Sequence, residues 1–399
     1  MNSKLVALAL LGVTATGVVL YPAHQNAGAA NSAPPDPGAV LSSDRPKVEV
    51  VFVLDTTGSM GGLIQAAKEK IWSIATTMAQ AQPAPEIRIG LVAYRDRGDS
   101  YITRVVDLST DLDSLYATLM EFQAQGGGDG PESVNRALYD AVHNISWSHD
   151  NTAYRVMFLV GDAPPHMDYQ DDVRYPVTLA AARQRGIFVN AVQCGSGSDT
   201  ARAWQQIAQL GQGEYLQVEQ GGGAVAIATP FDEKLATLSA QLDDTRLYYG
   251  SDVEKQRQQR KLEATEKLHA ASSVTSRARR ATFNASASGA ANLIGDGELV
   301  EDVVSGRVDL SSIEREALPA SLQAMSPRER RALIEETAGQ RDALKDEIRQ
   351  LAEQRATYLK QKVEEAGGAP ESLDTKIYSA IRAQAAEKGL QYEAGGPSY

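Results

Sequence analysis

The sequence predicts an α/β protein: a doubly wound, mostly parallel sheet flanked by helices, followed by an α-helical C-terminal region. Three observations carry that prediction. Short β-branched apolar runs alternate with helical patterns: Val48 to Leu54, Ile87 to Tyr94, Tyr154 to Val160, Ile187 to Gln193 and, more weakly, Glu214 to Val218. The runs are apolar at nearly every position, as strands covered on both faces must be. Between the first two, Leu63, Ile64, Ala67, Ile71, Ile74 and Met78 keep the i, i+3, i+4 spacing of one helix face.

In chain order, residues 1–30 read as a secretory signal peptide: Lys4, an apolar run from Leu5 to Tyr21, then the small residues Ala27-Gly28-Ala29-Ala30 before Asn31. Export to the periplasm or beyond the cell is the expectation. An uncleaved N-terminal membrane anchor is the alternative, because the run is near the lower length limit for a spanning helix. Residues 31–46, with several prolines and small polar side chains, read as a linker. The α/β domain occupies residues 47–249. Within it Tyr101 to Leu108 alternates more strongly and follows its predecessor after a short polar turn, which predicts an antiparallel edge strand. A helix around Phe231 to Leu242 closes the domain.

Residues 250–325 combine a charged helical run, Val253 to His269, with a Ser/Ala/Gly-rich patch near Thr282 to Asn292. They read as a partly helical, low-complexity linker with partial disorder. Residues 326–399 read as helical. Ser326-Pro327-Arg328-Glu329 is a capping box with proline at the first helical position. Downstream, Leu344, Ile348, Leu351 and Tyr358 fall on a heptad seam interrupted by Arg355. Such a seam serves a helical hairpin folded on Ile377 to Leu390 or back onto the α/β domain, or else a coiled coil through which two chains self-associate.

Composition excludes some functions. With 39 basic against 51 acidic residues, net -12, the chain is a poor match for nucleic acid, whose binding rests on Lys and Arg contacts to phosphate. Cys194 is the only cysteine, so no intrachain disulfide can form. At the end of an apolar run it reads as a buried small hydrophobe.

In doubly wound sheets ligands bind beyond the carboxyl ends of the strands, where the strand order reverses. Asp55 ends the first apolar run and Asp162 follows Tyr154 to Gly161. A carboxylate in either place is costly to bury unless it emerges at an edge or meets a cation. The Asp55 loop continues Thr56-Thr57-Gly58-Ser59-Met60, which puts hydroxyls at the second and fourth positions after the carboxylate. Hard oxygen ligands in a tight Gly-containing loop suit Mg²⁺ or Mn²⁺ better than zinc.

At these residues the sequence resembles the von Willebrand factor type A family and its metal-ion-dependent adhesion site. Asp55-Thr57-Ser59 matches the family's Asp-x-Ser/Thr-x-Ser loop, and Asp162 matches its later Asp after the fourth strand. The resemblance implies a divalent cation, Mg²⁺ first with Mn²⁺ or Ca²⁺ as alternatives. It also implies a protein ligand whose acidic side chain completes the metal shell. One departure stands out: where the family places a Thr in its second metal loop, this chain has Gly126-Gly127-Gly128-Asp129-Gly130-Pro131-Glu132. Asp129 is expected at the Thr position, with Glu132 as the alternative. The implied metal set is therefore Asp55, Thr57, Ser59, Asp129 and Asp162.

The resulting expectation is an exported, metal-dependent protein-binding module at the cell envelope, not an enzyme. Its rivals are an assembly protein acting through the C-terminal helices and a metal-assisted hydrolase. A serine hydrolase is disfavoured because Thr57-Gly58-Ser59-Met60-Gly61 fails the Gly-x-Ser-x-Gly pattern at its first position. Arg97-Gly98-Asp99 spells a cell-adhesion tripeptide but reads as turn residues. Pro164-Pro165-His166 either lines the site or shapes its loop, and His143 and His149 read as solvated or capping residues.

Overall fold

A computed structural model describes residues 45–128, 130–220, 227–365 and 373–392. The expected signal segment, residues 1–30, and most of the 31–46 linker lie outside the described residues. Among those described, no helix is long and apolar enough to cross a membrane.

Six strands form one sheet: β1 (Lys47–Asp55), β2 (Glu86–Tyr94), β3 (Thr103–Ser109), β4 (Tyr154–Gly161), β5 (Ile187–Cys194) and β6 (Gln212–Val218). Their order is β3-β2-β1-β4-β5-β6. All neighbours are parallel except β3, which pairs antiparallel with β2 at the edge, as its alternation predicts. The order reverses beside β1, so the ends of β1 and β4 frame the switch point.

Successive strand residues point to opposite faces, and both faces are apolar. On the first, Val48, Val50, Phe52 and Leu54 join Tyr154, Val156, Phe158 and Val160. Over them lie α1 (Gly61–Ala79), through Ile64, Trp72 and Met78, and α2 (Leu112–Glu121), through Leu115 and Leu119. On the second, Val51, Val53, Met157 and Leu159 are covered by α3 (Val134–His143), α4 (Tyr175–Gln184) and α5 (Ser198–Leu210).

The α/β unit does not close near residue 249 as expected. After β6 the chain enters α6 (Asp232–Asp243), α7 (Asp252–Ala271), α8 (Val274–Asn284), the short helices α9 (Ala290–Ile294), α10 (Leu299–Val304) and α11 (Ala320–Gln323), and the long α12 (Pro327–Glu365). Only then does α13 (Leu373–Ala386) return to the first sheet face and bury Ile377, Tyr378, Ile381 and Ala385 there. Polar contacts fix its position. Gln384 accepts from the Tyr154 hydroxyl at 2.9 Å and donates to Asn190 Oδ1 at 2.8 Å, deep in the sheet. Beyond the helix, Gln391 and Gln82 exchange backbone hydrogen bonds of 3.0 and 2.8 Å.

Residues 250–325 are also ordered helices, not the partly disordered linker their composition predicts. Ser251 and Glu254 form a reciprocal capping box at the start of α7. The small residues Ala278, Ala281 and Ala285 let α8 pack closely against Leu235, Leu238 and Leu242 of α6. Low complexity here reflects tight helix contact.

The capping box predicted at Ser326 is present: Ser326 N donates to Glu329 Oε2 at 2.8 Å. The heptad seam of α12 is filled from within the chain. Leu344, Ile348 and Leu351 pack into the α6 and α8 cluster, and Tyr358 meets Phe231 edge-on at 6.3 Å. Arg355, the interruption, is buried and pairs with Asp232 at 2.8 Å. The seam's apolar positions thus pack within the chain, the intrachain alternative to a coiled coil.

Buried ion pairs fasten the added helices. Arg280, fully buried, donates to both Asp113 of α2 and Asp243 of α6, and Arg341 pairs with Glu298 at 2.9 Å. Burial alone would raise the Asp113 and Asp243 carboxyls, but the Arg280 charge and its hydrogen bonds outweigh it and hold both below the usual carboxylate range.

Two outcomes are expected. Ile381→Ala, at a position with no exposed surface, should cost about 2–5 kcal/mol and lower the thermal midpoint, although it lies over 130 residues beyond the expected end of the α/β unit. The Arg280 network is stabilising above the ordinary Asp value near pH 4 and is lost as pH falls toward the depressed folded values. Acid titration followed by circular dichroism should therefore show Arg280→Met losing its stability deficit progressively below about pH 4.

Candidate metal centre

Asp55 ends β1 opposite Tyr94 of β2 and is fully buried. Its Oδ1 accepts from the Thr57 amide at 2.9 Å and the Thr57 hydroxyl at 2.6 Å, a local turn that leads into a short 3₁₀ segment, Gly58–Met60. Its Oδ2 is buried with no hydrogen-bond partner among the described residues. Ser59 is exposed on the rim, its Oγ 3.5 Å from Thr57 Oγ1.

A second loop, between α2 and α3, clasps the first. Gly58 N donates to Gly126 O at 3.1 Å and Gln125 N to Thr56 O at 3.1 Å. Gly127 has φ +80°, a conformation that strains other residues, and its Cβ would be crowded by Glu132 Oε1 and Thr57 Cβ at 3.2 and 3.3 Å. Glu132 is buried, and its Oε2 also lacks a hydrogen-bond partner.

The third loop follows β4. Asp162 Oδ2 accepts from Gln220 Nε2 at 2.6 Å, and the same amide reaches Ser59 O at 3.4 Å, tying the Asp55 and Asp162 loops together. Pro164 O accepts from Glu132 N at 2.9 Å, and His166 N donates to Glu132 O at 3.1 Å. His166 stacks on Tyr169 and lies 2.8 Å from Asp168 and 3.3 Å from Asp96. The Pro164-Pro165-His166 segment thus braces the second loop.

Four of the five expected site residues, Asp55, Thr57, Ser59 and Asp162, lie on loops that these contacts join. Asp129 lies outside the described residues. Glu132, the alternative, is brought to the centre. Sequence reasoning missed Asp96, which accepts from Ser133 Oγ at 2.8 Å and from the Tyr169 hydroxyl. Its signal was available: like Asp55 it follows an apolar strand, β2, at the sheet's carboxyl edge. Gln220 carried no such signal.

The carboxylates crowd one another. Burial, then the Asp162 charge, pushes Asp55 up to about 7 against the lowering effect of the two Thr57 hydrogen bonds. Burial, then Asp55, Asp96, Asp99 and Asp162, pushes Glu132 up to about 9. Among the described residues no group of three or more His, Cys, Asp or Glu side chains is arranged to hold an ion by itself. A cation here would need the Thr57 and Ser59 hydroxyls and water as well. That donor set is hard oxygen throughout.

Residues 49–230 match the family model of the von Willebrand factor A domain. A segment of the chain is 40% identical over 93 residues to von Willebrand factor A domain-containing protein 7 of Rattus norvegicus, covering 23% of this chain and 10% of that one. An ariadne-like RING finger protein of Acanthamoeba polyphaga mimivirus is 33% identical over 122 residues, 30% of this chain and 11% of the other. The chain thus spans about a tenth of the length of either relative. A solved von Willebrand factor type A structure from Catenulispora acidiphila aligns at 18% identity and TM-score 0.34 over 44% of this chain and 39% of its own.

The remaining sequence signals resolve as local structure. Arg97 is paired with Asp171 and Asp172, and Asp99 accepts from Asp96 N and Gly127 N, so both charged ends of the Arg97-Gly98-Asp99 tripeptide are engaged within the chain. Cys194 is buried, and burial pushes its thiol well above the usual range. His143, exposed, lies 3.0 Å from Tyr139 O at the end of α3.

Gly161 sits at a tight point of the centre. A Cβ there would stand 2.5 Å from the Tyr94 hydroxyl and 3.1 Å from Asp55 Oδ2. Gly161→Ala should destabilise the protein by about 1–3 kcal/mol in chemical unfolding, because the closely packed strands cannot part.

Proposed function

We propose that the A domain holds a divalent cation, Mg²⁺ in preference to Mn²⁺ or Ca²⁺, at Asp55, Thr57, Ser59, Glu132 and Asp162, and binds a protein partner through it. The observation that carries this reading is the pair of buried carboxylate oxygens, Asp55 Oδ2 and Glu132 Oε2, left without hydrogen-bond partners inside a cluster of like charges. Buried carboxylates of this kind are costly unless a cation meets them. A divalent ion would lower that cost and draw the hydroxyls of Thr57 and Ser59 to itself.

The exposed position of Ser59 leaves the rim accessible to a ligand, which suits capture of a partner's acidic side chain. We read the domain as a binding module and not an enzyme, since the histidine nearest the centre, His166, is engaged with Asp168 and Asp96. The pattern from Lys4 to Ala30 supports an exported protein, periplasmic or secreted.

Thermal unfolding with and without Mg²⁺ tests the metal. At a hundredfold excess over its dissociation constant the ion should stabilise the protein by about 2.7 kcal/mol. Asp55→Ala should abolish that gain; a gain that survives places the ion elsewhere and ends the proposal. Glu132→Gln relieves the charge crowding, so in chelator its midpoint should rise above that of the unaltered protein, while its response to Mg²⁺ shrinks.

A further inference from the structure

We propose that a cleft of about 380 Å³ beside the metal loops receives a second carboxylate of the partner through Arg104, so that the partner segment is an acidic peptide with two carboxylates. The inference rests on the metal reading for the first carboxylate and on separate residues for the second. The guanidinium carbons of Arg95 and Arg104 lie 4.5 and 5.5 Å from the centre of the Tyr101 ring. The two arginines have different employment.

Arg95 is buried and committed: it donates to Thr56 O, Ser100 Oγ and Gln123 O, which makes it the brace between the first two metal loops. Arg104 is exposed on edge strand β3. Among the described residues no carboxylate pairs with it. It lies instead over two aromatic rings, Tyr101 and, at 6.0 Å, Phe122. Aromatic faces orient a guanidinium without using its N–H fork, which stays available for a bidentate carboxylate. The one acidic side chain among the residues lining the cleft, Glu121, pairs with Lys267 at 2.7 Å.

The cleft is coupled to the metal loop. The Tyr101 hydroxyl lies 2.7 Å from Thr56 Oγ1, and Thr56 adjoins Thr57. A short peptide with one carboxylate at the metal would reach the cleft by laying its neighbouring residues toward Tyr101 and Arg104. A chain of net charge -12 repels acidic partners in general, so local cations must decide where one can dock.

The test uses the full chain and two sets of capped hexapeptides, one with a single Asp and one with two Asp spaced one to four residues apart, in Mg²⁺ and in chelator. In Mg²⁺ the best two-Asp peptide should bind about fivefold more tightly than the single-Asp peptide, the upper end for an exposed ion pair. Arg104→Gln should erase that gain and leave the Mg²⁺ thermal shift and single-Asp binding unchanged. Two-Asp peptides that bind no better at any spacing, or a gain that survives Arg104→Gln, would overturn the cleft. An Arg104-dependent gain that persists in chelator, beside single-Asp binding indifferent to Mg²⁺, supports the cleft and overturns the metal reading.

Discussion

A parallel sheet with two apolar faces must be covered on both, and in this protein the cover for the first face comes from both ends of the folded chain. Helices α1 and α2, early in the sequence, shield part of it; the rest is closed by α13, after some 150 residues of intervening helices and loops. Each fully buried aliphatic side chain on that face contributes about 1.5–3 kcal/mol, so the face cannot be left to water. The intervening helices cannot be an independent appendage, because the sheet's integrity requires the chain to come back.

The return explains the buried arginines. A covalent excursion of this length needs fixed attachment to bring Gln384 against Tyr154 and Asn190, and Arg280, Arg341 and Arg355 supply it through carboxylates on α2, α6 and the segment before α10. Each such pair is specific in geometry and costly to break on one side. They join the added helices to the α/β unit as one packed body.

At the carboxyl edge of the sheet the same packing has an opposite electrostatic effect. Close approach of β1, β2 and β4, with Gly161 allowing Tyr94 and Asp55 to meet, drives several carboxylates into one small volume. The fold thereby stores unfavourable charge where a cation would be welcome. Rigid strands and three loops clasped by backbone hydrogen bonds keep those oxygens from relaxing away. Strain held at a site by a surrounding scaffold is a usual feature of binding centres.

The sequence by itself determined the sheet, since runs such as Val48 to Leu54 and Tyr154 to Val160 can be buried only as central strands, and the alternation at Tyr101 to Leu108 marks an edge. It also determined which oxygen-rich loops meet at the sheet's edge, because Asp55, Thr57, Ser59 and Asp162 stand at or just past strand ends whose position in a doubly wound fold is fixed by topology. Tertiary structure decided the rest. Gln220 joins the centre through contacts 58 and 161 residues distant in the chain, which no local pattern records, whereas Asp96 carries its own signal just past the end of β2. The Ser/Ala/Gly-rich patch near Thr282 to Asn292 reads as a linker because small residues are cheap in a disordered chain, yet they are equally apt for close helix packing, as at Ala285. The heptad seam of α12 states that a partner helix exists, and only the folded chain names it: periodicity encodes the face to be buried, whereas identity of the covering surface is a long-range property of the whole fold.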